Sequence, residues 1–236
     1  MGDSPVGLPP VSSPLVVAVD GTSGSGKSST SRGVADRLGL RYLDTGAMFR
    51  AMTWWMLRRG VDVHDPAAVA AHCGEPEIVS GTDPLAPTIH VDGTDVAVAI
   101  RQDDVTAAVS PVSAVPEVRA RLLELQRAVI AQEAPGGGIV VEGRDIGSVV
   151  APDAQVKVYL TADPAARARR RAAEEGGSAV SATERSLLAR DAIDSSRATA
   201  PLVMADGAVH IDTTGYTLEQ VIGLVVALVE DAKAQT

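Results

Sequence analysis

Gly21-Thr22-Ser23-Gly24-Ser25-Gly26-Lys27-Ser28 has the spacing Gly-x4-Gly-Lys-Ser, which suits the holding of a chain of phosphates. Glycines let successive backbone N–H groups turn inward around an anion, and a helix opening from the loop adds its positive end. Lys27 brings a mobile point charge to a phosphoryl group in transfer, and the Ser28 hydroxyl can ligate a magnesium ion carried by the phosphates. The chain has only three lysines (Lys27, Lys157 and Lys233), so one in this loop is informative. None has Asp two residues later, which removes the Asn-Lys-x-Asp guanine reader of a GTPase, although Asp212-Thr213-Thr214-Gly215 matches a short switch-like pattern. Motor and transporter ATPases are normally longer. A loop near the start of a short chain fits a small kinase.

A second chemistry-bearing stretch lies late. Residues 167–197 hold seven arginines and five acids, a balance of +2 in a chain whose net charge is −9, so the remainder carries −11. One arginine-dense stretch in an acidic protein suits a small polyanion rather than a nucleic-acid polymer. A solvated helix face would show the same composition. His64, His72 and Cys73 are irregularly spaced, and Cys73 reads as a small buried hydrophobe rather than a metal ligand. A single cysteine forms no internal disulfide. No apolar run is long enough to cross a bilayer, and the first residues lack the plan of a secretory leader. The expectation is a soluble, cytoplasmic monomer with no membrane partner.

The elements that must position these groups follow from patterning. With 236 residues, 45% hydrophobic and 22% charged, the chain makes one globular domain with room for a modest insert. Residues 1–14 carry four prolines and read as a disordered tail, leaving 15–236 as the domain. Leu15–Val19, Ile139–Val141, Val156–Leu160 and Ala208–Ile211 are short apolar runs, as in strands buried on both faces. Helical patterns fall at 26–38, 116–132, 164–175, 183–195 and 217–232. Pro116 and Pro164 sit at first-turn positions, and Thr217 with Gln220 forms a capping box. Alternation of strands and helices predicts a three-layer α/β/α fold on a central parallel sheet. Residues 87–91 and 96–100 flank Asp92-Gly93, a hairpin signal, and 77–79 offers a third strand. A small antiparallel insert is therefore expected at about 73–100.

Three further segments carry a resemblance. Leu43-Asp44-Thr45-Gly46-Ala47-Met48-Phe49-Arg50, Glu142-Gly143-Arg144-Asp145-Ile146-Gly147, and Arg190-Asp191-x-x-Asp194-x-x-Arg197-Ala198-x-Ala200-Pro201-Leu202 resemble motifs of bacterial cytidylate kinases, P-loop nucleoside monophosphate kinases. Residues 101–119 resemble the stretch after their insert, so the likeness runs from about Val16 to the C-terminus. It implies transfer of the ATP γ-phosphate to CMP or dCMP, with magnesium. The alternatives are a kinase for another acceptor, such as UMP, AMP or shikimate, and a nucleotide-binding module without phosphotransfer.

The resemblance also implies roles. ATP phosphates would lie on Gly21, Thr22, Ser23, Gly24, Ser25, Gly26, Lys27, Ser28 and Ser29. Arg50, Arg144 and Arg197 would grip the CMP phosphate, Arg190, Asp194 and Ser110 the ribose, and Asp145, Arg119 and Thr45 the cytosine. Arg167, Arg170 and Arg171 read as an arginine-rich lid at about 164–185, and spacing does not separate which reaches inward. Catalytic charge would come from Lys27, Arg144, Arg167, Arg170 and Arg197. Bland readings stand beside these: Asp145 as a helix cap, Arg50 and Arg144 as surface ion pairs, the lid arginines as an exposed face. Asp20 and Glu142 serve equally as caps or as anchors for magnesium-bound water. The chain departs from the family pattern at Thr45 (often Ser), Phe49 (commonly Tyr) and Glu142 (usually Asp).

Overall fold

The computed structural model describes residues 14–174, 180–196 and 200–234. Residues 1–13 of the expected tail, residues 175–179 of the expected lid, and Arg197 lie outside the described residues, as does the side chain of Arg190. In chain order the elements are β1 (Val16–Gly21), α1 (Lys27–Leu38), β2 (Arg41–Asp44), α2 (Thr45–Arg58), α3 (Pro66–His72), β3 (Ile78–Ser80), β4 (Ile89–Val91), β5 (Thr94–Asp95), α4 (Asp103–Ala114), α5 (Pro116–Glu133), β6 (Ile139–Glu142), β7 (Val156–Thr161), α6 (Pro164–Glu174), α7 (Val180–Ser196), β8 (Val209–Asp212) and α8 (Leu218–Ala234).

Among the described residues, five parallel strands form one sheet in the order β2-β6-β1-β7-β8. The apolar runs of β1 and β6 are buried along their whole length because helices cover both faces. Side chains alternate across the sheet: Val16 and Ala18 join a core with Met48, Met52 and Leu122, while Val17 and Val19 join one with Val34, Ile222 and Val225. Helices α1 and α8 therefore cover one face, and α2, α4 and α5 the other. The Thr217/Gln220 capping box forms in both directions, at 2.9 and 3.3 Å. This is the three-layer α/β/α architecture the patterning predicts. Register aligns the C-terminal ends of the strands: Asp44 is level with Glu142, and Asp20 with Tyr159. Ligand sites of open parallel sheets form at that edge.

The insert differs from expectation in its second strand. β3, β4 and β5 form the antiparallel sheet, and Asp92 and Gly93 turn the hairpin with φ of 50° and 76°. The run at 96–100 is not a strand. The Asp95 carboxylate accepts the Ala97 N–H (2.9 Å), the chain turns, and Ala99–Arg101 becomes a short 3-10 helix. Three elements were not expected at all: β2, a four-residue edge strand; α3, a seven-residue helix; and α4, which runs through Pro111.

Candidate active site

Three local arrangements build the glycine loop. Gly21 ends β1 with its Cα against β7; a Cβ there would lie 1.9 Å from the Leu160 carbonyl oxygen, so no side chain fits. Gly24 has φ +73°, a backbone conformation glycine adopts freely. Helix α1 then opens after Gly26 with no side chain capping its first turn, leaving its leading N–H groups for an anion. Lys27 is buried, its Nζ donating to the Thr22 carbonyl at 2.7 Å. Burial and the nearby Arg144 guanidinium push its pKa well below the usual lysine value.

Beside the loop, Ser28 Oγ donates to Glu142 Oε2 (3.0 Å), and the buried Tyr42 hydroxyl donates to Glu142 Oε1. Burial and the neighbouring Asp44 raise the Glu142 pKa. Asp20 is differently committed. Its two oxygens accept the N–H groups of Ile146 and Gly147, each at 2.8 Å, at the start of a single π-helical turn over Ile146–Val150. Asp20 thus caps backbone, while Glu142 stands next to the Ser28 hydroxyl.

Burial lifts Asp20 from an ordinary 3.8 to about 6. A carboxyl whose folded pKa is raised contributes stability that is fully present below its unfolded pKa and lost as pH rises through the folded one. Relative to Asp20→Asn, the wild type is therefore expected to lose about 2–3 kcal/mol between pH 4 and pH 6.5. Urea denaturation of both proteins across that range checks it; a difference independent of pH would mean that Asp20 titrates as an exposed carboxyl.

One cleft of about 570 Å³ joins the loop to the far motifs. At one end it meets Ser23, Gly24, Gly26, Lys27, Ser28 and Ser29, and at the other Thr45, Ser110, Arg119 and Asp145, with Arg50, Arg144, Arg170, Arg171 and Asp194 between and around them. Gly21, Thr22, Ser25 and Arg167 do not line it. Arg119 and Asp145 form a buried ion pair; Arg119 also donates to the Ser113 carbonyl (3.2 Å) and stacks 5.3 Å from the Phe49 ring. Thr45 Oγ1 donates to the Glu142 carbonyl at 2.7 Å. Arg50 reaches the Ile100 carbonyl and the Thr106 hydroxyl, both at 3.0 Å. Arg144 spans three partners, Asp194 (3.0 Å), the Gly21 carbonyl (2.9 Å) and Ser23 Oγ (2.7 Å).

The lid arginines separate. Arg167 is buried behind the loop, donating to the Ser23 carbonyl at 2.8 Å and paired with Asp191. Arg170 holds Thr213 through its hydroxyl (2.9 Å) and carbonyl (2.7 Å), and the one Thr213 hydroxyl proton lies between the carbonyls of Thr161 (3.0 Å) and Ser25 (3.2 Å). The switch-like Asp212–Gly215 is thus a brace against the glycine loop. Sequence reasoning gave no role to Arg32, nor to Arg101 beyond its place at the head of the 101–119 stretch; both line the cleft, and only the fold brings α1 and the end of the insert together.

A parallel sheet with a Gly-Lys-Ser loop at its C-terminal edge, opening into a cleft walled by arginines, defines the P-loop nucleotide kinases. Residues 17–231 match the model of the family described as cytidylate kinase, and the chain belongs to that family. Cytidylate kinase of Streptomyces avermitilis is 60% identical over 93% of this chain and 94% of its own length, and that of Streptomyces coelicolor 59% over 97% and 98%. The Mycobacterium leprae enzyme is 47% identical over 92% and 96%. An uncharacterized protein from Eubacterium ventriosum shares the fold at 8% identity and a TM-score of 0.51, over 92% of this chain and 99% of its own.

Proposed function

We propose that this protein transfers the γ-phosphoryl group of ATP to CMP or dCMP, giving ADP and CDP or dCDP, as a cytoplasmic monomer. The observation that carries this reading is the single cleft running from Lys27 and Ser28 to the Arg119–Asp145 pair. ATP phosphates lie on the cleft-facing residues of the loop, Ser23, Gly24 and Gly26 to Ser29, with Gly21, Thr22 and Ser25 shaping the turn behind them, and the monophosphate lies opposite. Asp145 accepts from the exocyclic amine of cytosine, and Arg119 donates to its acceptor edge with Thr45 beside them. The two side chains pair with each other, which orients both toward the same end of the cleft. Arg50, Arg144 and Arg197 hold the acceptor phosphate; Arg190, Asp194 and Ser110 hold the sugar. Arg170 and Arg171 face the transferring group, and Arg167 supports the loop from behind.

The acceptor needs no base. Its second pKa of about 6 leaves it dianionic at neutral pH. An acceptor oxygen attacks the γ-phosphorus in line, the bond from γ-phosphorus to the β–γ bridging oxygen breaks, and ADP leaves with that electron pair. Bringing two anions together is the difficult part, and Lys27 and the arginine forks supply the positive charge and alignment. The Ser28 hydroxyl beside Glu142 Oε2 is an all-oxygen donor set, which fits Mg²⁺. When bound, that ion neutralises charge on the β- and γ-phosphates.

The test is ADP release with Mg-ATP and, separately, CMP, dCMP, UMP and AMP. Turnover with CMP and dCMP is expected to exceed the others. No ADP with any of the four would leave a binding module, and activity on an unphosphorylated alcohol would overturn the assignment.

A further inference from the structure

Ser23 uses every polar atom it has, each on a different element. Its N–H donates to Asp191 Oδ1 on α7 (2.9 Å), its carbonyl accepts from Arg167 on α6 (2.8 Å), and its hydroxyl accepts from Arg144 after β6 (2.7 Å). Asp191 also pairs with Arg167, and Asp194 accepts from Arg144 Nε at 3.0 Å. The two acids lie three residues apart on α7, hence on one helix face. The contacts close a circuit: from the glycine loop to Asp191, along one turn of α7 to Asp194, then through Arg144 back to Ser23. Arg167 and Asp191 are 4% and 13% exposed and do not line the cleft. They act on it from behind. Arg167 is packed closely there, its Cβ 3.3 Å from the place a Cβ on Gly24 would occupy.

We propose that Asp191 is a positioning residue for the glycine loop, fixing the Ser23 N–H directly and the Ser23 carbonyl through Arg167. This rests on the donor-binding role proposed for the loop. The loop grips phosphate by the direction of its N–H groups, and the two peptide units flanking the Ser23 Cα, one held by its N–H and the next by its carbonyl, are both kept from rotating. Remove the Asp191 charge and Arg167 becomes a buried cation without its carboxylate, which it escapes by withdrawing from Ser23.

The test is Asp191→Asn, which keeps an acceptor for the Ser23 N–H and deletes the charge. Calorimetric titration would measure the affinity of wild type and variant for a non-hydrolysable ATP analogue with Mg²⁺ and, separately, for CMP. The analogue is expected to bind about tenfold more weakly, with CMP affinity within about twofold of wild type, because the displaced groups lie on the donor side. Unchanged affinity for the analogue would overturn the proposal; so would equal losses for both nucleotides, the mark of general loosening. Should Asp191→Asn fail to fold, Arg167→Met keeps the packed stem but removes the Nη1 that serves both Asp191 and the Ser23 carbonyl, and the same split is required of it. A wild-type protein that does not bind the analogue would sink the donor-site reading itself, a result distinct from either of these.

Discussion

Lys27→Ala is expected to lower kcat by about three orders of magnitude while the fold survives. The ammonium is buried at the cleft wall, where low dielectric strengthens its attraction for phosphate oxygens. Its Nζ donates to the Thr22 carbonyl, a contact within the loop itself rather than one that joins sheet to helix. Burial first, and the Arg144 guanidinium second, disfavour the charged form of this lysine, and phosphate oxygens placed beside it would favour that form. Removing it leaves the transferring group with one less donor at the moment charge moves to the bridging oxygen. ADP release at saturating ATP and CMP measures the effect, with circular dichroism to check the fold. Turnover near the wild-type rate would end the phosphate-loop reading.

Asp145→Ala should strike a different parameter. The Asp145 carboxylate is buried against Arg119, and on the proposed base-reading role cytosine would turn an amine toward it where uracil would turn a carbonyl. A carboxylate facing that carbonyl would be repulsive, so in that role Asp145 would both attract one base and reject the other. The variant is expected to lose about a hundredfold in kcat/KM for CMP, to gain or hold steady with UMP, and to keep its KM for ATP within a few-fold. Arg119 loses its carboxylate in this variant but still donates to the Ser113 carbonyl and lies against the Phe49 ring, so circular dichroism is to be compared with wild type alongside the kinetics. Competition between CMP and UMP in one reaction gives the selectivity directly. Equal losses for CMP and ATP would count against base reading.

The layered architecture was legible because buried parallel strands are continuous apolar runs, and the loop motif because its chemistry demands fixed spacing. β2 escaped notice because Arg41-Tyr42-Leu43-Asp44 is short and charged at both ends, as an edge strand allows. α4 was hidden by Pro111, whose ring sits inside the helix. The apolar string at 96–100 looked extended, yet one side-chain bond from Asp95 outweighed it. At the site, residue types located the charges but not their facing. Arg167, Arg170 and Arg171 share one helix and one composition, and only packing separates the buried brace from the two at the cleft. Asp20 and Glu142, alike as acids at strand ends, were resolved by their partners, two backbone donors for the first and two hydroxyls for the second.

The chain has two tryptophans, and one of them touches the insert. Trp55 is buried in α2, and its indole N–H donates to Asp92 at the hairpin tip (2.8 Å), while the same carboxylate receives the Glu77 N–H at 2.9 Å. A swing of the hairpin away from α2 must stretch or break the indole contact. Its emission would change with that event, so any displacement of the insert would be readable in the unlabelled protein, with Trp54 to be subtracted as background.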